Sequence, residues 1–110
     1  MPLIIRRSDV TLSRDSVDAI STLHSDMRRA LRTCGAIVSR DFEINTVREF
    51  KRIVEKFSQG QLMDYAGGAS PRTALSKGVY TSTEYPPEMP LALHNELSYS
   101  AEFPRTLFFL

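Results

Sequence analysis

The sequence has a single cysteine, no marked excess of either charge and no long apolar run. One cysteine, Cys34, excludes an internal disulfide and suits a reducing compartment. The 14 basic and 13 acidic residues leave a net charge of +1, so there is no electrostatic reason to expect a nucleic-acid or anionic-membrane partner. No stretch approaches the roughly 20 apolar residues that span a bilayer. These absences predict a cytoplasmic protein and leave its oligomeric state open.

The first half of the chain carries two amphipathic helix patterns. In the first, apolar residues recur at steps of three or four, as on one face of a helix. Ser13 or Asp15 is placed to cap its start, and Gly35 lies just beyond its end. The residues of this face are Val17, Ile20, Leu23, Met27 and Leu31.

The second helix is predicted to begin at Asn45 or Thr46 and to end at Gly60. Thr46 and Glu49 have the spacing of a capping box, in which each side chain satisfies an amide of the first turn. Between the helices, the apolar run 36–38 predicts a strand. The second helix buries a stripe made of Val47, Phe50, Ile53, Val54 and Phe57.

After Gly60, glycine and proline divide the chain into short pieces, three of which have strand character: 78–83, 91–99 and 106–110. Helices followed by strands are typical of an α+β domain or of a jelly roll with a helical preface. The last four residues are all apolar, with no turn behind them. We therefore expect the sequence to stop inside a sheet and to be a fragment.

The segment 91–99 contains a candidate metal-binding pair, His94 and Glu96. On a strand, residues two apart share a face, so both side chains project together about 6.6 Å apart at the backbone. An imidazole and a carboxylate are two members of the 2-His-1-carboxylate triad of non-haem iron(II) oxygenases. The pattern is short and also arises by chance. A partly buried histidine with an acidic neighbour is the alternative.

Four segments around this pair resemble TauD/TfdA-like proteins, especially the clavaminate-synthase-like and SyrP-type branch. They cover roughly residues 60 to 110. Residues 1–59 resemble these proteins only in forming a helical preface. The chain is therefore expected to be the N-terminal part of one dioxygenase domain, 1–110. The segments are Tyr65 to Arg72, Gly78 to Pro87, Leu93 to Tyr99, and Pro104 with Leu107 to Phe109.

The resemblance implies part of a double-stranded β-helix (jelly-roll) core, iron(II) and O₂, with 2-oxoglutarate as cosubstrate. His94 and Glu96 fall on the family's first two iron ligands. The family's second histidine and its 2-oxoglutarate-binding arginine come further along and are absent here. The implied activity is hydroxylation of a small amino-acid-like or carrier-tethered substrate, which the fragment alone is not expected to carry out.

Three further residues are candidates for substrate binding. Arg72 lies in a Gly/Pro-bracketed loop and is suited to a substrate carboxylate, or to stabilising a turn. Ser82 and Glu84 precede the predicted metal strand and are candidates for lining a pocket, although strand and turn structure explain them equally well. His24 and Arg105 are expected to have helix-boundary and surface roles.

Two other functions remain open at this point. A truncated, non-catalytic relative with an open sheet edge is suited to bind another chain by strand addition. A zinc site with a hydrolytic water is the third possibility, but zinc takes three or four protein ligands and only two are visible.

Overall fold

The computed structural model describes residues 1–11, 15–59, 62–65, 71–82, 84 and 86–110. Helices and two small sheets alternate along these residues, which confirms the predicted α+β class. The chain forms two compact units, Met1–Gln61 and Leu62–Leu110. No helix in the described ranges has the length and apolar character needed to cross a membrane.

The first predicted helix is present as two, α1 (Ser16–Thr22) and α2 (His24–Cys34), separated at Leu23. Leu23 has a ψ of 0°, so the regular helix is interrupted there. The predicted cap at Asp15 is confirmed, because its carboxylate accepts from the backbone amides of Val17 and Asp18 at 2.7 and 3.1 Å. The alternative cap, Ser13, lies outside the described residues. Gly35 ends α2 in the left-handed conformation, as predicted.

The second predicted helix is α3 (Val47–Ser58), and Thr46 is its N-cap. The Thr46 hydroxyl accepts from the Glu49 amide at 3.2 Å, while the Glu49 carboxylate accepts from the Thr46 amide at 3.0 Å. The helix ends through Gln59, whose φ of 55° places it in the left-handed region. Gly60, the predicted end, lies outside the described residues.

The core of the first unit joins α1 to α3. Val17, Ile20 and Ile53 are buried together, which confirms the central part of both predicted apolar faces. Three partly buried side chains pack around this cluster: Phe42, Ile44 and Phe57.

The first unit also contains a parallel pair of strands, β1 (Leu3–Arg6) and β2 (Ile37–Arg40). β2 confirms the strand predicted near residues 36–38. β1 was not predicted, because it is short, largely exposed and lacks a clear alternation of apolar and polar residues. Its hydrogen-bonding partner lies far along the chain.

The second unit contains an antiparallel pair, β3 (Ala74–Ser76) and β4 (Val79–Tyr80). β4 confirms part of the strand predicted at 78–83; Thr83 lies outside the described residues. Gly78 turns between the strands with a φ of 73°. A Cβ at this position would lie 2.6 Å from the Cβ of Leu62, so the turn requires glycine for conformation and for space.

The strand predicted at 91–99 was wrong. Residues 91–95 have no regular structure, and residues 96–99 form a turn. Leu97 anchors this turn, since it is only 4% exposed and has a left-handed φ of 52°. Its carbonyl accepts from the Ser100 amide at 2.9 Å.

The strand predicted at 106–110 is likewise absent. A strand requires a neighbour that satisfies its backbone amides and carbonyls. Neither this segment nor 91–99 pairs with another strand in the described part of the chain. Side-chain alternation in 91–99 and the apolar run in 106–110 were therefore insufficient to make either segment a strand.

Candidate functional site

The second unit brings together Arg72 and Glu96, two of the residues singled out from the sequence. Nη2 of Arg72 donates to both carboxylate oxygens of Glu96, at 3.2 and 3.1 Å. The two side chains are only 16% and 14% exposed. The pair is thus better protected from water than the exposed ion pairs of the first unit.

One tyrosine contacts the guanidinium, and a second tyrosine contacts the first. The centre of the Arg72 guanidinium lies 4.8 Å from the centroid of the Tyr65 ring, a cation–π distance. The backbone amide of Tyr65 donates to the hydroxyl of Tyr80 at 2.9 Å. Because Tyr80 belongs to β4, this contact links the Arg72 side chain to the hairpin.

The Arg72 backbone is fixed to the same hairpin. The amide of its neighbour Thr73 donates to the hydroxyl of Thr81 at 2.8 Å, and the Thr81 amide donates to the Thr73 carbonyl at 2.9 Å. The Nε atom of Arg72 is buried without a hydrogen-bond partner among the described residues. The Thr73–Thr81 hydrogen bonds thus hold the backbone next to Arg72, and the contacts with Tyr65 and Glu96 hold its side chain.

His94 is exposed and lies in the irregular segment before the turn. Its Nδ1 lies 2.8 Å from the carbonyl oxygen of Ala92. A carbonyl can only accept a hydrogen bond, so Nδ1 is a protonated nitrogen; in the neutral form of the ring the lone pair then lies on Nε2. A neutral imidazole with a backbone partner on one nitrogen is the form that binds metals through the other.

Glu84 belongs to a different local group. Its carboxylate accepts from the hydroxyls of Thr81 and Thr73, at 2.7 and 2.9 Å. These two hydrogen bonds stabilise the charged form and lower the pKa of Glu84, with the Thr81 bond contributing most. Ser82 is an exposed residue of the adjacent bend.

The predicted residues are thus divided among three local arrangements. Glu96 contacts Arg72, Glu84 contacts two threonines, and His94 contacts its own segment. No hydrogen bond joins His94 to Glu96 in the described part of the chain, and no group of three potential His, Cys, Asp or Glu ligands occurs there. The roles of these residues in metal and substrate binding stay predictions.

Sequence reasoning did not find the supporting roles of Tyr65 and Tyr80. Both tyrosines lie in the segments that carry the family resemblance, but no spacing rule connects them to Arg72. An aromatic residue before an arginine in a Gly/Pro-rich loop was the only available signal.

His24 and Arg105, which were expected to have helix-boundary and surface roles, lie in other surroundings. The His24 ring packs edge-on against Phe57 with the centroids 5.0 Å apart, at the start of α2. Arg105 is exposed. Neither observation connects these residues to the Arg72–Glu96 pair.

The first unit has a cleft of about 240 Å³ whose lining is mostly acidic and polar. Two of its three carboxylates have structural partners: Asp15 caps α1, and Glu49 caps α3. We attribute these two carboxylates to helix capping. The lining residues are Asp15, Ser16, Val17, Glu43, Asn45 and Glu49.

Comparison with known proteins identifies two relatives. The chain is 39% identical over 79 residues, 72% of its length, to a clavaminate synthase-like protein of Arabidopsis thaliana. It is 31% identical over 86 residues, 78% of its length, to the dapdiamide synthesis protein DdaC of Enterobacter agglomerans. No protein-family model matches the chain.

The matches cover 24% and 26% of the two relatives. The chain therefore spans about a quarter of the length of the curated relatives it matches. Over most of its own length, it is similar to part of a clavaminate synthase-like protein and part of a dapdiamide synthesis protein.

Proposed function

We propose that this chain contributes two iron ligands, His94 and Glu96, to an iron(II)- and 2-oxoglutarate-dependent dioxygenase of the TauD/TfdA-like type. The observation that carries the proposal is the 39% identity over 79 residues to a clavaminate synthase-like protein. The two residues stand in a His-Xaa-Glu sequence, and their imidazole and carboxylate would supply the ligand atoms.

The two side chains fit an iron site as donors. The contact of His94 Nδ1 with the Ala92 carbonyl leaves Nε2 free to donate its lone pair to a metal. The Glu96 carboxylate is directed by a guanidinium, and an ionised carboxylate has about four lone-pair positions. One imidazole nitrogen and one carboxylate oxygen are two of the three ligands of the iron triad.

The rest of such a site is proposed to come from the portion of the enzyme that this chain does not span. That portion would supply the second histidine, the 2-oxoglutarate-binding arginine and the strands that complete a jelly-roll core. Iron(II), with 2-oxoglutarate and O₂, would supply the oxidation of a substrate C–H bond. The protein would position the substrate, a small amino-acid-like or carrier-tethered molecule, and exclude water.

A chimera tests this function. We would replace the matching quarter of DdaC with this chain and measure iron-dependent formation of succinate from 2-oxoglutarate, with DdaC itself as reference. We expect succinate formation, and a loss of at least about 100-fold in His94→Ala, because ligand removal disables metal-assisted chemistry. His24→Gln is the matched control and should retain activity. Full activity in His94→Ala would contradict the assignment.

A second candidate function is a non-catalytic interaction module. It is favoured by the apolar side chains that the segment 91–110 exposes, among them Leu93 at 105% and Phe109 at 72%. Such a module would bind another chain along this exposed segment. Sedimentation of the 110-residue chain tests the case in which the partner is a second copy, since a monomer at all concentrations would contradict self-association through this surface.

A further inference from the structure

The structure brings one arginine into contact with one proposed metal ligand. Arg72 and Glu96 are 24 residues apart, and a single nitrogen, Nη2, contacts both oxygens of the carboxylate. With side chains 16% and 14% exposed, each charge would be left poorly solvated without the other. The contact is therefore expected to persist.

Glu96 begins a turn and does not lie on a strand. Residues 91–95 lack regular structure, so no strand directs the carboxylate to a defined face. The turn at 96–99 places the Glu96 backbone through its neighbour, buried Leu97. The two hydrogen bonds from Arg72 then set the direction of the carboxylate.

Arg72 is well suited to this task because it is itself held in position. The Tyr65 ring lies against the guanidinium at 4.8 Å, and Tyr65 is bonded to Tyr80 of β4. The Thr73–Thr81 hydrogen bonds fix the adjacent backbone to the same hairpin. The hairpin thus determines where the Arg72 nitrogen lies, and that nitrogen determines where the carboxylate points.

We propose that Arg72 is a positioning residue that orients the Glu96 carboxylate for metal binding. The inference rests on the proposed function and differs from a role for Arg72 in binding a substrate carboxylate. Nη2 engages one side of the carboxylate, and the remaining lone pairs stay available to a cation. Residues that hydrogen-bond a metal ligand typically change metal affinity 10- to 100-fold when they are removed.

The test is binding of Mn²⁺ to the 110-residue chain, followed by paramagnetic broadening of amide signals near residues 93–97. Mn²⁺ accepts imidazole and carboxylate ligands, and broadening detects binding even at millimolar dissociation constants. We expect Arg72→Gln to weaken binding at least about 10-fold. Arg72→Lys, which keeps the charge but loses the planar fork, should restore part of the affinity. Arg105→Gln, at an exposed position, should bind as the unaltered chain does.

Glu96→Gln and His94→Ala separate the two proposals. If both lose binding while folded Arg72→Gln retains unaltered affinity, the positioning role is overturned and the proposed function stands. If both bind as the unaltered chain does, or if that chain shows no broadening near 93–97, the pair does not hold the ion in this chain and the positioning role is overturned. The proposed function is overturned separately, by full succinate formation in the His94→Ala chimera.

A second variant covers the case in which Arg72→Gln does not fold. Tyr65→Leu leaves both charges in place and removes the ring beneath the guanidinium. We expect this variant to bind Mn²⁺ several-fold more weakly, since the arginine loses its cation–π support. Unaltered Mn²⁺ affinity in folded Tyr65→Leu would overturn the positioning role.

Discussion

Arg72 and Glu96 form the best-protected ion pair among the described residues, with one guanidinium nitrogen 3.2 and 3.1 Å from the two carboxylate oxygens. Contacting pairs of this kind couple by about 0.5–3 kcal/mol. We expect a double-mutant cycle with Arg72→Gln and Glu96→Gln to give a coupling of about 1–2 kcal/mol, because burial reduces screening. All four tyrosines lie after residue 62, so tyrosine fluorescence during urea unfolding monitors this unit.

The matched control for that cycle is the exposed pair Asp26–Arg29 on α2. Its side chains are 67% and 75% exposed, so the coupling should stay below about 0.5 kcal/mol. Equal coupling energies for the two pairs would contradict the protected character of the Arg72–Glu96 contact.

The Thr46 cap should contribute measurably to the stability of the first unit. Thr46→Ala removes the hydroxyl that accepts from the Glu49 amide at 3.2 Å. We expect the free energy of unfolding to fall by about 1 kcal/mol, as for other N-caps. Urea unfolding followed by helix circular dichroism gives the value. Thr33→Ala, at an exposed position inside α2, is the control and should be neutral or slightly stabilising.

Stability should depend on pH through Glu49. Hydrogen bonds from the Thr46 side chain and then from the Asn45 amide lower the pKa of Glu49 below its ordinary value of 4.5. Because the folded state favours the charged form, this contribution is complete above pH 4.5 and is lost as pH falls through the lower folded-state pKa. Glu49→Gln keeps an acceptor but loses the charge.

The stability difference between the unaltered chain and Glu49→Gln should therefore be largest near neutral pH and shrink below pH 4.5. Unfolding free energies measured from pH 7 to pH 3 test this. A difference that grew on acidification would mean that the capping carboxylate is not preferentially charged in the folded state.

Gly78→Ala should destabilise the hairpin more than Gly35→Ala destabilises α2. Both glycines have positive φ, 73° and 75°, which costs an L-residue about 1–2 kcal/mol. Only at Gly78 does an added Cβ also meet Leu62, at 2.6 Å; at Gly35 nothing lies within 4 Å. We expect about 2 kcal/mol or more at Gly78 and about 1 kcal/mol at Gly35.

Tyrosine fluorescence measures the Gly78 variant, and helix circular dichroism measures the Gly35 variant. Equal losses at the two positions would show that backbone conformation alone accounts for both effects and that the Leu62 contact adds nothing.

The accuracy of the sequence predictions depended on how far each interaction reaches along the chain. The Thr46–Glu49 capping box and the Asp15 cap were predicted because their partners lie within one helical turn. The strand predicted at 91–99 was wrong because its side-chain alternation carried no information about a neighbouring strand. Arg72 and Glu96 were each singled out, but their contact was not foreseen.

The sequence by itself determined where the helical segments lie, their N-caps and the residue types available for metal binding, since these follow from nearest neighbours and side-chain chemistry. Tertiary structure alone decided that β1 pairs with β2 and that the Glu96 carboxylate faces Arg72. Those contacts join residues far apart in the chain: Arg6 pairs with Arg40, 34 positions away, and Arg72 contacts Glu96, 24 positions away. No local rule connects such residues, because it is the packing of the whole unit that brings them together.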